Sequence, residues 1–251
     1  MRNEIMLTSV KNVKVKNWRK LKKKKERDIQ SQFIVEGFHL IEEAHKSDWE
    51  ISEIIYQTGI EVAGEWTNYP MFEVADNVMA ALTETKTPQG ILAVVNKTKR
   101  TEQPVQRALI IDRVQDPGNL GTMIRTADAA GFDTVILGKG TVDLFNDKVI
   151  RSTQGSMFHL HIYEAELSEE IQNLQREDIE IWSTALENAS YYHEVTAPEK
   201  LAIIVGNEGS GVVPALIEQA NKNIKIPIYG QAESLNVSIA AGILMYQVAK
   251  K

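Results

Sequence analysis

The chain has 251 residues, of which 43% are hydrophobic and 25% charged, a composition typical of a soluble globular protein with one or two domains. It contains no cysteine, which excludes disulfides, thiolate metal sites and a cysteine nucleophile, and which fits a reducing cytoplasm. There is no signal-peptide core at the start, and no apolar run approaches the roughly 20 residues of a membrane span, so we expect a cytoplasmic protein without a membrane partner.

The net charge of −6 is distributed unevenly along the sequence. Residues 11–27 hold ten basic residues and one acid, a net charge of +9, which leaves −15 on the rest of the chain. A basic arm on an acidic body is typical of proteins that bind phosphate groups, although a solvated helix face would show the same pattern. We favour contact with a polyanion because the charges are so concentrated.

The first hundred residues predict a small α/β domain. The basic segment is expected to be a helix that makes apolar contacts through Val10, Val13, Trp18 and Leu21. Strands are expected at 33–35, 51–56, 71–74 and 91–95, helices at 36–44 and 77–82, and a turn at 87–90. The polar segment 96–106 is the expected linker between two domains.

The second half of the chain alternates apolar strands with helices. Strands are expected at 108–111, 134–137, 159–163, 179–184, 201–205 and 224–228; helices are expected at 120–130, 147–152 and 167–176, after Pro214, and after residue 236. This alternation is typical of a parallel sheet covered by helices on both faces. In such sheets, ligands bind in the loops at the carboxyl ends of the strands.

Two polar loops of this kind carry candidate site residues. Residues 116–121 lead into a helix in which Asn119 is well placed as the N-cap and Arg125 lies beside the buried stripe. That arginine suits either a surface ion pair or a phosphate contact. Residues 206–211 hold three glycines around Glu208 and match neither the dinucleotide-binding fingerprint nor a P-loop. They form either a plain turn or a loop whose backbone approaches a ligand closely.

A third loop, Ser234-Leu235-Asn236, precedes the last helix, and either Ser234 or Asn236 is a candidate cap for that helix. The five histidines are scattered, and no His, Asp and Glu cluster has metal-ligand spacing. His159 and His161 share one face of an expected strand, but they are a weak candidate for a metal site. We therefore expect no bound metal.

Together, the three loops resemble the SpoU/TrmH family of RNA ribose 2′-O-methyltransferases in the SPOUT superfamily. The matching segments are NLGTMIR at 119–125, IVGNEGSG at 204–211, and IPI at 226–228 followed by SLNVS at 234–238. The segments FIVEG at 33–37 and TPQGILAV at 87–94 resemble the RNA substrate-binding domain of that family. The resemblance covers nearly the whole chain.

The resemblance implies an α/β fold in two domains. Residues 1–100 would form a small N-terminal RNA substrate-binding domain with the basic arm, and residues 101–251 a C-terminal parallel-sheet SPOUT domain with a deep trefoil knot that forms a homodimer. S-adenosyl-L-methionine would be held largely by backbone groups at Gly206, Ile226 and Leu235, beside Thr184. The polar site residues of the family map onto Asn119, Arg125, Glu208, Ser234 and Asn236.

The implied reaction methylates a ribose 2′-hydroxyl of structured RNA, and its rate depends on alignment and on removal of the hydroxyl proton. Arg125 would activate the hydroxyl or hold the adjacent phosphate. Ser234 and Asn236 would orient the ribose, and Glu208 would pair with Arg125 or hold the site in shape. The RNA-binding lysines would be Lys22, Lys23, Lys24 and Lys25, which add salt-dependent affinity.

The attached RNA-binding domain favours large-subunit ribosomal RNA as the substrate. One alternative is a transfer-RNA 2′-O-methyltransferase, and another is a base methyltransferase of the same superfamily. A further alternative, from a different class, is a non-catalytic RNA-binding factor for ribosome assembly.

Overall fold

The structure is a computed structural model that describes residues 6–97 and 103–249. It divides into two compact units. Unit 1 comprises the described residues up to 97 together with Asp143–Phe158, and unit 2 comprises the remaining described residues. The expected domain boundary at residues 100 and 101 lies outside the described residues. No local pattern in the sequence indicated that Asp143–Phe158 packs with unit 1, because the contacts that place it there are distant in sequence.

The elements follow the expected alternation. The helices are α1 Val13–Lys20, α2 Lys24–Gln30, α3 Phe38–Lys46, α4 Asp76–Leu82, α5 Pro117–Ala129, α6 Asp147–Thr153, α7 Leu167–Arg176, α8 Pro214–Gln219 and α9 Val237–Val248. The strands are β1 Gln32–Glu36, β2 Ile51–Gln57, β3 Met71–Val74, β4 Ile91–Asn96, β5 Arg107–Ile111, β6 Thr134–Gly138, β7 His161–Ala165, β8 Glu180–Thr184, β9 Ser190–Tyr191, β10 Leu201–Val205 and β11 Lys222–Lys225.

Unit 1 is built on a four-stranded sheet with the order β1-β4-β2-β3. The β1–β4 and β4–β2 pairs are antiparallel, and the β2–β3 pair is parallel. One apolar cluster joins Val15 and Trp18 of α1 and Met79 of α4 to the sheet through Leu92 and Val94. The basic arm is therefore fixed to the unit through the buried face of its first helix.

The basic segment forms two helices where one was expected. The Leu21 side chain is 3% exposed and packs in the core of the unit, and it lies in the short segment between the end of α1 and the start of α2. Val13 was expected to make an apolar contact, but its side chain is 73% exposed. The helix begins at Val13, and residues two apart point about 200° from one another, so burial of Val15 turns Val13 to solvent.

Unit 2 contains the expected parallel sheet, with seven strands in the order β7-β6-β5-β10-β8-β11-β9. All residues of β5, β6 and β10 are buried. Ala108 and Ile110 pack into one cluster with residues of α7 and α8. Leu109 and Ile111 point to the opposite face and are also 0% exposed, so both faces of the sheet are covered.

Four details of unit 2 differ from expectation. Helix α5 begins at Pro117, three residues before the expected start, and Asp116 is its N-cap in place of Asn119. Strand β7 begins at His161, so His159 lies outside it. Strand β11 ends at Lys225, before Pro227, which has no N–H to donate to a ladder. The two-residue strand β9 was not expected, because nothing distinguishes so short a strand from a loop.

Gly131 follows the last turn of α5 with φ of +75°, as expected for a glycine that ends a helix. None of the helices in the described residues is long and apolar enough to cross a membrane.

Candidate active site

Three of the four residues expected to bind the cofactor lie at the carboxyl ends of neighbouring strands in the unit 2 sheet. Strands β10, β8 and β11 are neighbours and run parallel. Thr184 is the last residue of β8, Gly206 directly follows β10, and Ile226 directly follows β11. Leu235 directly precedes the N-cap of α9. The carboxyl ends of neighbouring parallel strands therefore bring three of the four predicted positions together, at the edge where ligands bind in such sheets.

Three side chains from three distant segments form a hydrogen-bonded chain in unit 2. The Nδ2 atom of Asn236 donates to Oδ1 of Asn119 at 3.0 Å, and Nδ2 of Asn119 donates to Oε1 of Glu208 at 3.1 Å. The structure therefore brings together three of the five predicted catalytic residues. Asn119 lies in the first turn of α5, Glu208 in the loop after β10, and Asn236 in the loop after β11, so the three are far apart in sequence.

The direction of the hydrogen bonds is fixed at the Asn236 end by helix α9. Asn236 is the N-cap, and its Oδ1 accepts hydrogen bonds from the backbone N–H of Ser238 at 2.9 Å and of Ile239 at 3.3 Å. Because its oxygen is occupied, the amide nitrogen faces Asn119. Asn119 in turn presents its oxygen to Asn236 and its nitrogen to Glu208. Of the two candidate caps, Asn236 is the one that caps the helix.

At the other end of this hydrogen-bonded chain, two backbone N–H groups of the loop between β5 and α5 hold Glu208. Its Oε1 accepts from the N–H of Asp116 at 3.0 Å, and its Oε2 accepts from the N–H of Gln115 at 3.2 Å. Burial alone would raise the pKa of the Glu208 carboxyl, but its hydrogen bonds outweigh burial and hold the pKa below its ordinary value. A carboxylate that stays ionised in this way is an acceptor that orients Asn119 and is poorly suited to remove a proton.

The glycine-rich loop is folded back onto its own start. Asn207 and Gly211 exchange two backbone hydrogen bonds of 3.1 and 2.9 Å. As a result, a Cβ atom on Gly206 would lie 2.1 Å from the backbone of Gly211 and of Val212, so no larger residue fits. Gly211 itself has φ of +67°, which favours glycine.

Asn207, which sequence reasoning did not select, organises this loop. Its Oδ1 accepts from the N–H of Gly209 at 3.0 Å and of Ser210 at 3.1 Å, and its Nδ2 donates to the carbonyl of Arg113 at 2.9 Å. An Asn followed by small residues is a known turn signal, so the pattern was readable in the sequence. The sequence did not indicate that the carbonyl of Arg113, in the loop after β5, is the partner of its Nδ2 atom.

Asp112 and Arg113 connect the loop after β5 to the glycine-rich loop. The sequence analysis did not select these two residues either. Asp112 is 3% exposed, and its Oδ2 accepts from the N–H of Val213 at 2.9 Å. Arg113 donates to Asp112 at 3.0 Å and to the carbonyl of Gly211 at 3.3 Å. The hydrogen bond that Arg113 donates to Asp112 raises the pKa of Arg113 above its ordinary value, so Arg113 stays charged.

Arg125 and Ser234 are not part of the hydrogen-bonded chain. Both are exposed, and within residues 6–97 and 103–249 neither side chain makes a hydrogen bond or ion pair. Arg125 lies on α5 six residues after Asn119, beside the buried residues Ile124 and Ala127, as expected. Glu208 binds amides and backbone groups, and none of its hydrogen bonds comes from Arg125 in the described part of the chain.

The residues at this edge fit a cofactor that is held by backbone groups. In the described part of the chain, the N–H and C=O groups of residues 226–235 make no backbone–backbone hydrogen bonds. They are available to a ligand beside Gly206 and Thr184. Within the described residues, no group of three or more His, Cys, Asp and Glu residues is arranged to hold a metal ion.

The predicted RNA-binding lysines lie in unit 1, at the start of α2. Lys22, Lys23, Lys24 and Lys25 are all exposed. Lys22 forms an ion pair with Glu84 at 2.6 Å and donates to the carbonyl of Thr83 at 3.3 Å. Part of its charge is therefore already compensated within the unit.

Comparison with known proteins relates both halves of the chain to RNA modification. Residues 106–246 match the SpoU rRNA methylase family, and residues 12–93 match the MRM3-like substrate binding domain. The chain is 46% identical to the 23S rRNA (guanosine(2553)-2′-O)-methyltransferase RlmP of Bacillus subtilis, over 96% of this chain and 98% of that protein.

Two solved structures are similar over nearly the whole chain. One is an AdoMet-bound rRNA methyltransferase from Sinorhizobium meliloti, with a TM-score of 0.86, 31% identity and 96% of each chain covered. The other is an RNA 2′-O ribose methyltransferase, with a TM-score of 0.82, 31% identity and 97% of each chain covered.

The fold and the site define a class, that of the S-adenosylmethionine-dependent RNA ribose 2′-O-methyltransferases. Within this class, the chain belongs to the SpoU rRNA methylase family. The predicted family is confirmed, and so is the α/β fold with a small N-terminal sheet and a C-terminal parallel sheet. The trefoil knot stays a prediction.

Proposed function

We propose that this protein methylates a ribose 2′-hydroxyl of large-subunit ribosomal RNA. The observation that carries the proposal is the hydrogen-bonded chain of Asn236, Asn119 and Glu208 at the cofactor edge, in a chain that is 46% identical to a 23S rRNA methyltransferase. Bound S-adenosyl-L-methionine supplies the methyl group as part of a reactive sulfonium. The residues of this chain bind both substrates, orient the ribose and assist loss of the hydroxyl proton.

In this proposal, the backbone of Gly206, Ile226 and Leu235 binds the cofactor, with Thr184 alongside. The Oγ1 atom of Thr184 donates to the carbonyl of Ile204 at 3.1 Å, which fixes the end of β8 next to β10. Orientation of reacting groups can account for several kcal/mol of a reaction barrier, so a rigid edge is useful to the enzyme.

Arg125 acts on the RNA, in the region of the 2′-hydroxyl. Its guanidinium is exposed and free of partners among the described residues, so it can hold the adjacent phosphate through two parallel hydrogen bonds. The phosphate or a water then accepts the hydroxyl proton, because guanidinium itself is protonated well past neutral pH. Ser234 and Asn236 orient the ribose, and Glu208 keeps Asn119 and Asn236 in place.

We assign RNA binding to residues 1–100 and methyl transfer to residues 101–251, in a cytoplasmic protein. The matched ranges 12–93 and 106–246 support this division. Lys22, Lys23, Lys24 and Lys25 add affinity through phosphate contacts.

The segment that contains the cofactor loops would form the trefoil knot of the family, a rare topology. A crystallographic chain trace in which α9 does not pass through a loop would contradict the knot.

A homodimer through unit 2 is part of the proposal. Ile239 and Tyr246, seven residues apart on one face of α9, are 55% and 60% exposed. Large apolar side chains on one exposed face mark an association surface. Sedimentation velocity should show a dimer that dissociates when Ile239→Asp is introduced. A wild-type monomer at micromolar concentration would exclude this part of the proposal.

The decisive experiment incubates the purified protein with labelled S-adenosylmethionine and ribosomal RNA transcribed without modifications, then maps the label by nuclease digestion. Label in a 2′-O-methyl nucleotide of large-subunit RNA would support the proposal. Label in transfer RNA alone would identify the transfer-RNA alternative. Label on a base would identify a base methyltransferase, and cofactor binding without turnover on either RNA would identify an assembly factor.

A further inference from the structure

An exposed aromatic cluster lies at the carboxyl ends of β9 and β11 in unit 2, next to the predicted cofactor residue Ile226. Tyr191 and His193 have nearly parallel rings, with an interplanar angle of 11° and ring centroids 5.8 Å apart. Both residues are exposed, and the Tyr191 side chain is 40% exposed. The Lys225 Nζ atom lies 5.1 Å from the centroid of the Tyr191 ring. We name Tyr191, His193 and Lys225 the aromatic platform.

The backbone holds this platform in place. Tyr191 belongs to β9 and lies opposite Lys225 in the ladder with β11. The N–H of Glu194 donates to the carbonyl of Tyr191 at 2.9 Å, and this turn brings the ring of His193 beside that of Tyr191. The ring of Tyr192 packs edge-on against His193 with centroids 5.3 Å apart. The stacked arrangement is therefore built into the end of a strand pair.

The position of the platform connects it to the reaction. Lys225 is the last residue of β11, directly before Ile226 and the loop whose backbone groups are free of backbone partners among the described residues. Resting on the proposed function, the reactive ribose lies near Asn119 and Arg125, beyond β5. Strand β9 is four strands from β5, about 19 Å at the usual strand spacing, a distance that a few unpaired nucleotides of the same RNA can span. No motif in the sequence marked these residues, because β9 was not predicted.

The chemistry of the platform fits an unpaired nucleobase. A base presents a flat π-face to an aromatic ring, and its phosphates are attracted by a neighbouring ammonium group. Structured RNA is read mainly at unpaired bases that stack on aromatic side chains. We propose that the aromatic platform stacks an unpaired RNA base a few nucleotides from the methylated ribose and thereby positions that ribose. Tyr191 and His193 are positioning residues in this proposal.

The test compares Tyr191→Ala and His193→Ala with two controls. Tyr191→Phe keeps the ring, and Leu186→Ala removes a 78% exposed apolar side chain from the loop between β8 and β9. For each protein, the measurements are the KM for ribosomal RNA, kcat, S-adenosylmethionine affinity by calorimetry, and the sedimentation coefficient. A fluorescein-labelled short oligoadenylate provides a direct binding assay that needs no turnover.

Stacking predicts that each alanine variant raises the KM for RNA and the oligoadenylate Kd by about tenfold, while cofactor affinity is unchanged. Both controls should behave as wild type. Unchanged RNA affinity in both alanine variants would overturn the proposal. An equal loss of RNA affinity in Tyr191→Phe, or a parallel loss of cofactor affinity in the alanine variants, would also overturn it. If the wild type is a dimer and the alanine variants are monomers, the cluster is a protein interface and the proposal is wrong. If the wild type binds oligoadenylate without methylating ribosomal RNA, the proposed function fails and the platform is still tested.

Discussion

The side-chain amide of Asn236 donates a hydrogen bond to the side-chain carbonyl of Asn119 at 3.0 Å and so connects the N-terminus of α9 to the first turn of α5. The same Asn236 side chain caps α9 through its oxygen. One residue therefore stabilises a helix with one atom and orients the candidate active site with another. These two roles can be separated by mutation.

Asn236→Asp keeps the acceptor that caps α9 and removes the amide donor to Asn119. We expect this variant to unfold at a temperature close to wild type, since an aspartate is also a good cap, and to lose methyl transfer by about tenfold. Asn236→Ala should lose activity and in addition about 1 kcal/mol of stability. Thermal unfolding together with a methyl-transfer assay checks both. Full activity of Asn236→Asp would show that its amide donor is not needed.

Glu208→Gln replaces an acceptor of several N–H groups with a side chain that also carries donors. The amide nitrogen would face a backbone or side-chain N–H, so Asn119 loses its fixed orientation. We expect about tenfold slower methyl transfer. Because Glu208 is exposed, we expect the free energy of unfolding to change by less than about 1 kcal/mol. Glu218→Gln on α8 is the matched control and should retain wild-type activity.

The lowered pKa of Glu208 predicts a pH dependence of this chain of hydrogen bonds. Because the pKa of Glu208 is lower in the folded than in the unfolded protein, its ionised carboxylate stabilises the fold at a pH above the ordinary glutamate pKa of about 4.3. This stabilisation is lost as the pH falls through the lowered pKa of the folded state. The side-chain amide NMR signals of Asn119 and Asn236 should therefore be constant at neutral pH and shift only below that ordinary value. A transition above pH 6 would contradict the assignment.

Gly206→Ala places a Cβ atom 2.1 Å from the backbone of the following loop, which a flexible side chain cannot relieve. We expect the variant to lose S-adenosylmethionine binding and to be destabilised by about 2 kcal/mol or more. Gly209→Ala in the same loop is the control, since its nearest neighbour for a Cβ is 3.7 Å away. Calorimetric titration with the cofactor distinguishes them. Equal affinity in the two variants would show that the loop opens readily.

Arg125→Ala should slow methyl transfer by about a hundredfold or more while changing the free energy of unfolding by less than about 0.5 kcal/mol, because the side chain is exposed. Arg125→Lys keeps the charge without the planar fork and should be intermediate. The exposed Arg176 on α7 provides the control Arg176→Ala. An Arg125→Ala protein that binds both substrates and reacts at the wild-type rate would remove Arg125 from the mechanism.

Neutralising Lys23, Lys24 and Lys25 together as glutamines should weaken RNA binding and lower its dependence on salt. The slope of log affinity against log salt changes by about 0.7 to 0.9 for each lost phosphate contact. Lys22→Gln should have a smaller effect, since Lys22 is already paired with Glu84. Lys46→Gln, in an ion pair with Glu42 on α3, is the control. An unchanged slope in the triple variant would assign RNA binding to another surface.

Local sequence patterns determined most of the secondary structure and the position of the three loops. Apolar runs such as 201–205 and helical periodicity in 167–176 predict their elements to the residue, because burial on a strand or a helix face imposes a repeat that is visible locally. The departures are also physical. A buried Leu21 divides the basic segment, and Pro227 ends the ladder of β11 before residues expected to continue it.

The sequence by itself determined which residues were candidates for the site, since Asn119, Glu208 and Asn236 lie in the three segments that resemble the family's motifs. Only the tertiary structure decided that these three side chains touch, in which direction each amide points, and that Asn207, Asp112 and Arg113 brace the loops. The same holds for the aromatic platform and for the packing of Asp143–Phe158 with unit 1. Hydrogen bonds and ring contacts between distant segments depend on strand order, and strand order leaves no trace in a local repeat.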